Sequence, residues 1–492
     1  MLFSSPEFLF SFLPVVLLTS IALARLFGQR AMLVWVIGAS LFFYAWWNPV
    51  HLPVLLTSVA VNFGLGKLLY RRRSRLVLGV GIGINLLALG YFKYAGFVVT
   101  NVNVLAGTHF PPHDIALPLA LSFITFQKIT YLLDVYHGRT SDRSLLHYLF
   151  FASFFPQLIA GPIVHHREIV PQLRTGRFGR FSAYDLLTGG AMFLVGLYKK
   201  AVIADGIAPL ADVVFGSAAP PTLLEAWGGA LAYTFQIYFD FSGYIDMALG
   251  LGLVFGLRLP VNFNSPYQAT SIIDFWRRWH ITLSHFLRDC LYVPLGGNRR
   301  GPARRYANLM ATMLLGGLWH GAGWTYVVWG GLHGLYLVVN HLWRAIRGNA
   351  APGRAERWAG RLLTFVAVVV AWVFFRAKSF GEATALLSGM AGLNGFVPSL
   401  DLPLFDANGF AWEAVLLAVV WAIPNTQRLL GMRKPLASER VFPKLVPPAW
   451  LLPLWRHRTP LVATVLATAA AVAVLVVLAP GGKNQPFIYM IF

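Results

Sequence analysis

Residues Tyr306 to Trp343 read YANLMATMLLGGLWHGAGWTYVVWGGLHGLYLVVNHLW, without one Asp, Glu, Lys or Arg. A run that long and that apolar belongs inside a lipid bilayer. Glycines crowd its centre, at Gly316, Gly317, Gly321 and Gly323. Residues without a Cβ let a second backbone or a substrate come close, so we expect two helices over Leu309–Leu342 that meet near these glycines. His320 stands between them. An ionisable group at membrane depth is costly to keep, which makes it a candidate functional residue by default.

The rest of the chain has the same character. Of 492 residues, 57% are hydrophobic, 15% aromatic and only 12% charged. A soluble domain carries about a quarter charged residues, so the composition excludes that class and predicts an all-α polytopic membrane protein. Lys and Arg number 40 against 19 Asp and Glu. No basic, aromatic-interleaved domain separates from the apolar segments, so the excess reads as basic loops facing anionic lipid, and no nucleic-acid partner is expected. Cys290 is the only cysteine, which excludes an intrachain disulfide and a cysteine metal cluster. His109, His113, His137, His165 and His166 lack ligand spacing with acidic or Cys neighbours, and no metal is expected. Met1 to Ala24 lacks the basic start of a signal peptide, and Arg25 and Arg30 follow its apolar run. It reads as a retained first helix with its N-terminus outside.

Apolar spans fall at Phe8–Phe27, Met32–Trp47, Leu52–Tyr70 and Leu76–Val99. The clusters Arg25/Arg30 and Arg71–Arg75 alternate with loops poor in basic residues, which puts both clusters in the cytoplasm and the N-terminus in the periplasm. Further spans are read at Leu119–Tyr136, Leu186–Val202, Trp227–Leu257, Leu362–Phe375, Trp412–Pro424 and Leu461–Leu478. His147–Val164 is apolar but holds Pro156 and Gly161-Pro162, so a bend or re-entrant segment is expected there. The total is about eleven spans. Asn262 to Pro302 is polar, basic and aromatic, with Pro266 and Pro294 as breakers. It reads as re-entrant or interfacial helices lining a cytoplasmic vestibule. With no linker and no internal repeat, we treat residues 1–492 as one transmembrane domain: N-terminal spans over 1–117, a motif-bearing core over 118–334 and C-terminal spans over 335–492.

Two blocks carry candidate chemistry. One is Asp274-Phe275-Trp276-Arg277-Arg278-Trp279-His280-Ile281-Thr282-Leu283-Ser284, in which Trp276 and His280 would share a face if the block is helical. The other is Gly317-Leu318-Trp319-His320-Gly321-Ala322. An imidazole can accept and return a proton near neutral pH, and a hydroxyl beside such a base becomes a nucleophile. A basic mouth, with Arg277 and Arg278 among its residues, would draw in an anionic donor. Asp240 and Asp246 lie inside an apolar segment and need cationic partners, for which Arg277 or Arg278 could serve. Together these features fit transfer of a small acyl group from a phosphate-bearing carrier. Each has a plainer competing reading: a packing histidine bonded to a backbone carbonyl, an interfacial histidine near head groups, tryptophans of the membrane belt, and arginines that only set topology. Asn262-Phe263-Asn264-Ser265-Pro266-Tyr267 reads as a turn.

Beyond these features, the chain resembles the membrane-bound O-acyltransferases, and within them the bacterial alginate O-acetylation subfamily. The resemblance rests on Phe123-Ile124-Thr125-Phe126-Gln127, Phe154-Phe155-Pro156-Gln157, Gly196-Leu197-Tyr198-Lys199-Lys200, Gln236-Ile237-Tyr238-Phe239-Asp240-Phe241-Ser242-Gly243-Tyr244, Phe275-Trp276-Arg277-Arg278-Trp279-His280, Tyr292-Val293-Pro294-Leu295-Gly296-Gly297-Asn298-Arg299 and Leu318-Trp319-His320-Gly321. It implies a ring of tilted helices around a central tunnel. It further implies His320 as the catalytic base and His280 as a second site histidine, with Trp276, Arg277, Arg278, Trp279, Asp240, Asn298 and Trp319 around the substrates. The donor would be cytoplasmic acetyl-CoA, with no permanently bound cofactor. The acetyl group would cross the bacterial inner membrane to a periplasmic acyl-relay protein and an exported polysaccharide. Two alternatives stay open: D-alanyl or other acyl transfer to a cell-wall polymer, and a transporter with a histidine proton relay.

Overall fold

In a computed structural model of the chain, residues 1–111, 116–348, 352–396, 407–430 and 487–488 can be described. Every element of two or more turns among them is helical. The contacts divide the chain into two compact units. The first comprises Met1–Tyr198, Gly243–Val261 and Leu430–Ile491; the second comprises Lys199–Ser242, Asn262–Leu429 and Phe492.

The first unit opens with α1 (Leu13–Leu26), α2 (Gly28–Ala45), α3 (Leu52–Arg71), α4 (Arg75–Leu89) and α5 (Ala95–Ala106). These cover the four spans read from the N-terminal sequence. The break between α1 and α2 falls at Phe27, and α2 starts at Gly28, whose φ of +80° suits a residue without a Cβ. Ser74 starts α4 by accepting a hydrogen bond from the Val77 amide. Asn62 of α3 and Asn85 of α4 exchange side-chain amide bonds of 3.2 and 2.7 Å, which satisfies two polar groups where water is scarce. Then come α6 (Leu121–Tyr136), α7 (Leu145–Ser153), α8 (Phe155–Leu158), α9 (His166–Arg174) and α10 (Ala183–Tyr198). The chain breaks at Phe154, ahead of Pro156, where a bend was expected. A phenylalanine cluster, Phe3, Phe8, Phe12, Phe43 and Phe155, fills part of this core.

A 32-residue helix, α12 (Leu223–Val254), is unbroken and covers the segment read as Trp227–Leu257 as far as Val254. Its last turns belong to the first unit and pack on α10 through paired glycines. A Cβ on Gly189 would sit 2.5 Å from the Gly250 carbonyl, and one on Gly196 would sit 2.5 Å from that of Gly243. Small residues at such a crossing allow backbone-to-backbone packing without a hydrophobic drive from lipid.

The second unit contains α11 (Asp205–Gly216), the first part of α12, α13 (Ile272–Trp276), α14 (Ile281–Leu287), α15 (Gly301–His320), α16 (Trp324–Arg347), α17 (Arg354–Arg376), α18 (Phe380–Met390), α19 (Ala407–Ala422) and α20 (Thr426–Leu429). The hairpin expected around His320 is α15–α16, turning at Gly321-Ala322-Gly323. Its helices cross at Gly317 and Gly330, where a Cβ would meet the Tyr326 and Met313 carbonyls.

Seven helices among the described residues are long and apolar enough to cross a membrane: Phe8–Leu26, Gly28–Ala45, Pro49–Arg71, Arg75–Ala106, Ala183–Gly216, Leu223–Val254 and Arg354–Arg376. The span read at Leu461–Leu478 lies outside the described residues.

Candidate functional site

His320 is the last residue of α15, just before the glycine turn, and is 4% exposed. Its ring meets those of Trp319, Trp329 and Phe375 at centroid distances of 4.8, 5.0 and 5.2 Å. The turn needs its glycine, because a Cβ on Gly321 would enter the Tyr326 ring. Local sequence thus sets His320 at a helix end with an aromatic on each side.

The block around His280 departs from the helical expectation. α13 stops at Trp276, and His280 takes a left-handed conformation (φ 41°, ψ 55°) between α13 and α14. Trp276 and His280 therefore do not share a helical face. A non-glycine residue in that region carries strain that the surroundings must hold. Here they do so through Asn262: the Ile281 amide donates to the Asn262 carbonyl at 3.0 Å. Asn262 Oδ1 receives the Thr282 amide at 3.1 Å and its hydroxyl at 3.0 Å, and lies 3.3 Å from His280 Nδ1.

That arrangement fixes the imidazole. A backbone N–H can only donate, so the Asn262 atom facing Thr282 is the oxygen, and the same oxygen faces Nδ1. Nδ1 must then carry the proton and Nε2 the lone pair. Complete burial pushes the His280 pKa down, to about 3, which keeps the ring neutral. His280 also packs on Phe241 at 4.8 Å and on Trp319 at 6.4 Å. The Trp319 indole thus touches both candidate histidines.

The same aromatic cluster takes in the expected tryptophans. Trp276 contacts Trp329 at 6.0 Å, Trp279 contacts Trp372 at 5.0 Å, and Trp329 stacks on Trp372 at 5.7 Å. His333 is fully buried among them, 4.9 Å from Trp329 and 5.2 Å from Trp276.

The expected charge pairing is corrected. Asp240 does not draw on Arg277 or Arg278; its partner is Lys200, at 2.6 Å, which also reaches Asp205 at 2.8 Å. Lys200 lies in a π-helical stretch, Lys199–Ala204, that leads into α11. The wider turn there is a feature that hydropathy does not reveal. Arg278 pairs instead with Asp274, four residues earlier, at 2.8 Å. Arg277 is exposed, as is Asn298 on the turn before α15. Sequence reading missed Asn262, taken only as part of a turn. A buried polar residue held at 0% exposure was the signal, and burial is not visible in the sequence. Among the described residues no group of three His, Cys, Asp or Glu side chains could hold a metal ion.

The family model described as MBOAT, membrane-bound O-acyltransferase family, matches residues 138–381, which include both histidines and their aromatic surroundings. The chain is 44% identical over 431 residues to a peptidoglycan O-acetyltransferase of Helicobacter pylori, covering 80% of each protein. It is 40% identical over 461 residues to a probable alginate O-acetylase of Pseudomonas putida, covering 91% of this chain and 90% of the relative. The chain belongs to the membrane-bound O-acyltransferase family. A more distant relative, 26% identical over 55% of this chain and 72% of its own length, is a teichoic acid D-alanyltransferase of Bacillus subtilis. This membrane-bound O-acyltransferase is therefore an enzyme of acyl transfer whose regular elements, among the described residues, are helices. Its family-matched segment contains the tautomer-fixed His280 and the helix-end His320.

Proposed function

We propose that this enzyme takes an acetyl group from cytoplasmic acetyl-CoA and passes it across the bacterial inner membrane for O-acetylation of an exported polysaccharide or cell-wall glycan. One observation carries the reading: two buried histidines pack against the same indole, Trp319, inside the segment matched to the family. The names of the relatives, which act on alginate and peptidoglycan, support a polymer as the final acceptor.

In this mechanism His320 is the general base. It takes the proton of an acceptor hydroxyl as that oxygen attacks the thioester carbonyl. The C–S bond then breaks, and the departing thiolate receives a proton from the imidazolium. His280, with its lone pair on Nε2, positions the acceptor or shares the proton. Trp276, Trp279 and Trp319 wall the acyl group and exclude water, which would otherwise compete for the thioester. A periplasmic acyl-relay protein takes the acetyl group onward, and the N-terminus lies on that side. Asp240 serves this site as an ion-pair partner of Lys200 that holds α12 against the π-helical stretch, and not as a direct substrate ligand.

The test is membrane vesicles that keep the periplasmic relay protein and the polymer, supplied on the cytoplasmic side with radiolabelled acetyl-CoA or with a labelled D-alanyl carrier protein, with label counted on the polymer. Wild type should transfer label, and His320→Ala should not, while inserting normally. Undiminished transfer by His320→Ala would sink the assignment. Label transferred only from a D-alanyl carrier protein would shift the donor class and leave the histidine roles standing.

A further inference from the structure

The first unit holds a second buried polar cluster that the acyl-transfer reading does not use. Lys128, on α6, is completely buried, and its Nζ has no hydrogen-bond partner among the described residues. It sits 5.3 Å from the centre of the Tyr148 ring. Among the described residues the buried Tyr148 hydroxyl likewise has no hydrogen-bond partner, nor do His166 Nε2 and Gln157 Oε1. These groups form one cluster. Tyr131 lies 4.4 Å from Tyr148 and 5.2 Å from His166, and the Phe151 ring lies 5.2 Å from His166. The Phe151 carbonyl accepts from both Gln127 and Gln157, at 2.7 Å each.

The charges nearby are already committed. Asp134 is engaged by His165, Arg167 and Arg139, at 3.1, 3.4 and 3.9 Å. Asp142 faces His147 at 2.9 Å. Glu168 accepts the His165 amide at 3.0 Å. No carboxylate among the described residues lies within ion-pair distance of Lys128. A ring face offsets only part of the cost of burying an ammonium, and buried charges otherwise come paired. His166 Nδ1 is taken by the Thr140 hydroxyl at 2.8 Å, which leaves Nε2 as the ring nitrogen without a partner among the described residues.

We propose that Lys128, Tyr148 and His166 form a binding site for a small monoanion, of the size of chloride or acetate. The ammonium supplies the charge, and the phenol and imidazole supply neutral donors. The site is independent of the acetyl-transfer reading.

Thermal unfolding of the purified full chain in detergent tests it, with sodium chloride and sodium acetate compared against sodium gluconate at equal ionic strength. Gluconate is the control too bulky to enter. For wild type, the small anions should raise Tm saturably by about 2 °C or more over gluconate. Lys128→Met should lose that difference, and in gluconate its Tm should match or exceed wild type, because an apolar side chain of similar length needs no counter-ion. Tyr148→Phe, which removes only one hydroxyl, should keep the response but need a higher anion concentration. It decides the matter if Lys128→Met fails to fold. Equal responses in wild type and Lys128→Met, or no difference between small anions and gluconate in wild type, would overturn the site.

Discussion

Asn262 is the residue that holds the His280 ring in place. One side-chain oxygen receives the Thr282 amide and hydroxyl and faces Nδ1, so the backbone of α14 and the imidazole share an anchor. Asn262→Ala should therefore cost activity in a particular way. The ring would lose its tautomer preference, kcat should fall roughly tenfold or more, and the KM for the acetyl donor should move little. Steady-state kinetics with labelled donor would check this, and a pure KM effect would count against a positioning role. The burial of His280 also bears on stability. Its folded pKa, about 3, lies below the usual value of 6.5, so the unfolded chain binds the extra proton first as pH falls. The stabilisation from a neutral His280 is complete above about pH 6.5 and is lost as pH drops towards 3. His280→Asn should flatten that part of the Tm-against-pH curve.

At the scale of elements, the α15–α16 hairpin was legible because glycine says where backbones can meet. The stretch from Tyr306 to Trp343 was read as two helices turning near His320, and they do so at Gly321-Ala322-Gly323. The same logic gives a prediction. Gly330→Val would push a side chain into the Met313 carbonyl, and should cost about 1–3 kcal/mol, seen as a lowered Tm and poorer yield. Gly331→Ala, on the neighbouring face with only a Leu314 methyl near, should be mild. What the sequence concealed was non-local or broken structure. A block with good helical pattern, Asp274 to Ser284, hides a left-handed residue, because local pattern does not report the pull of Asn262 from eighteen positions away. Asp240 looked close to arginines and found a lysine, because ion pairs are chosen by the packing of α12 on the Lys199–Ala204 stretch.

For the whole molecule, class and family were readable from composition and motif, since a bilayer demands apolar length and catalysis demands particular side chains. The arginines make the orientation testable. If the loops at Arg25–Arg30 and Arg71–Arg75 face the cytoplasm, a cysteine placed at Ser74 in a Cys290→Ser background should resist a membrane-impermeant maleimide in intact cells and react after permeabilisation. A cysteine at Thr108 should react in intact cells. The reverse pattern would invert the assigned topology.

The left-handed backbone at His280 has a practical consequence. Glycine is the one substitution that relieves the strain there while removing the ring, so His280→Gly should leave the main chain at rest around an imidazole-shaped hole. Free imidazole added to such a variant would have a berth beside Trp319 and Phe241. Recovery of turnover on its addition, absent in His280→Leu, would turn this position into a chemically operated switch for the enzyme.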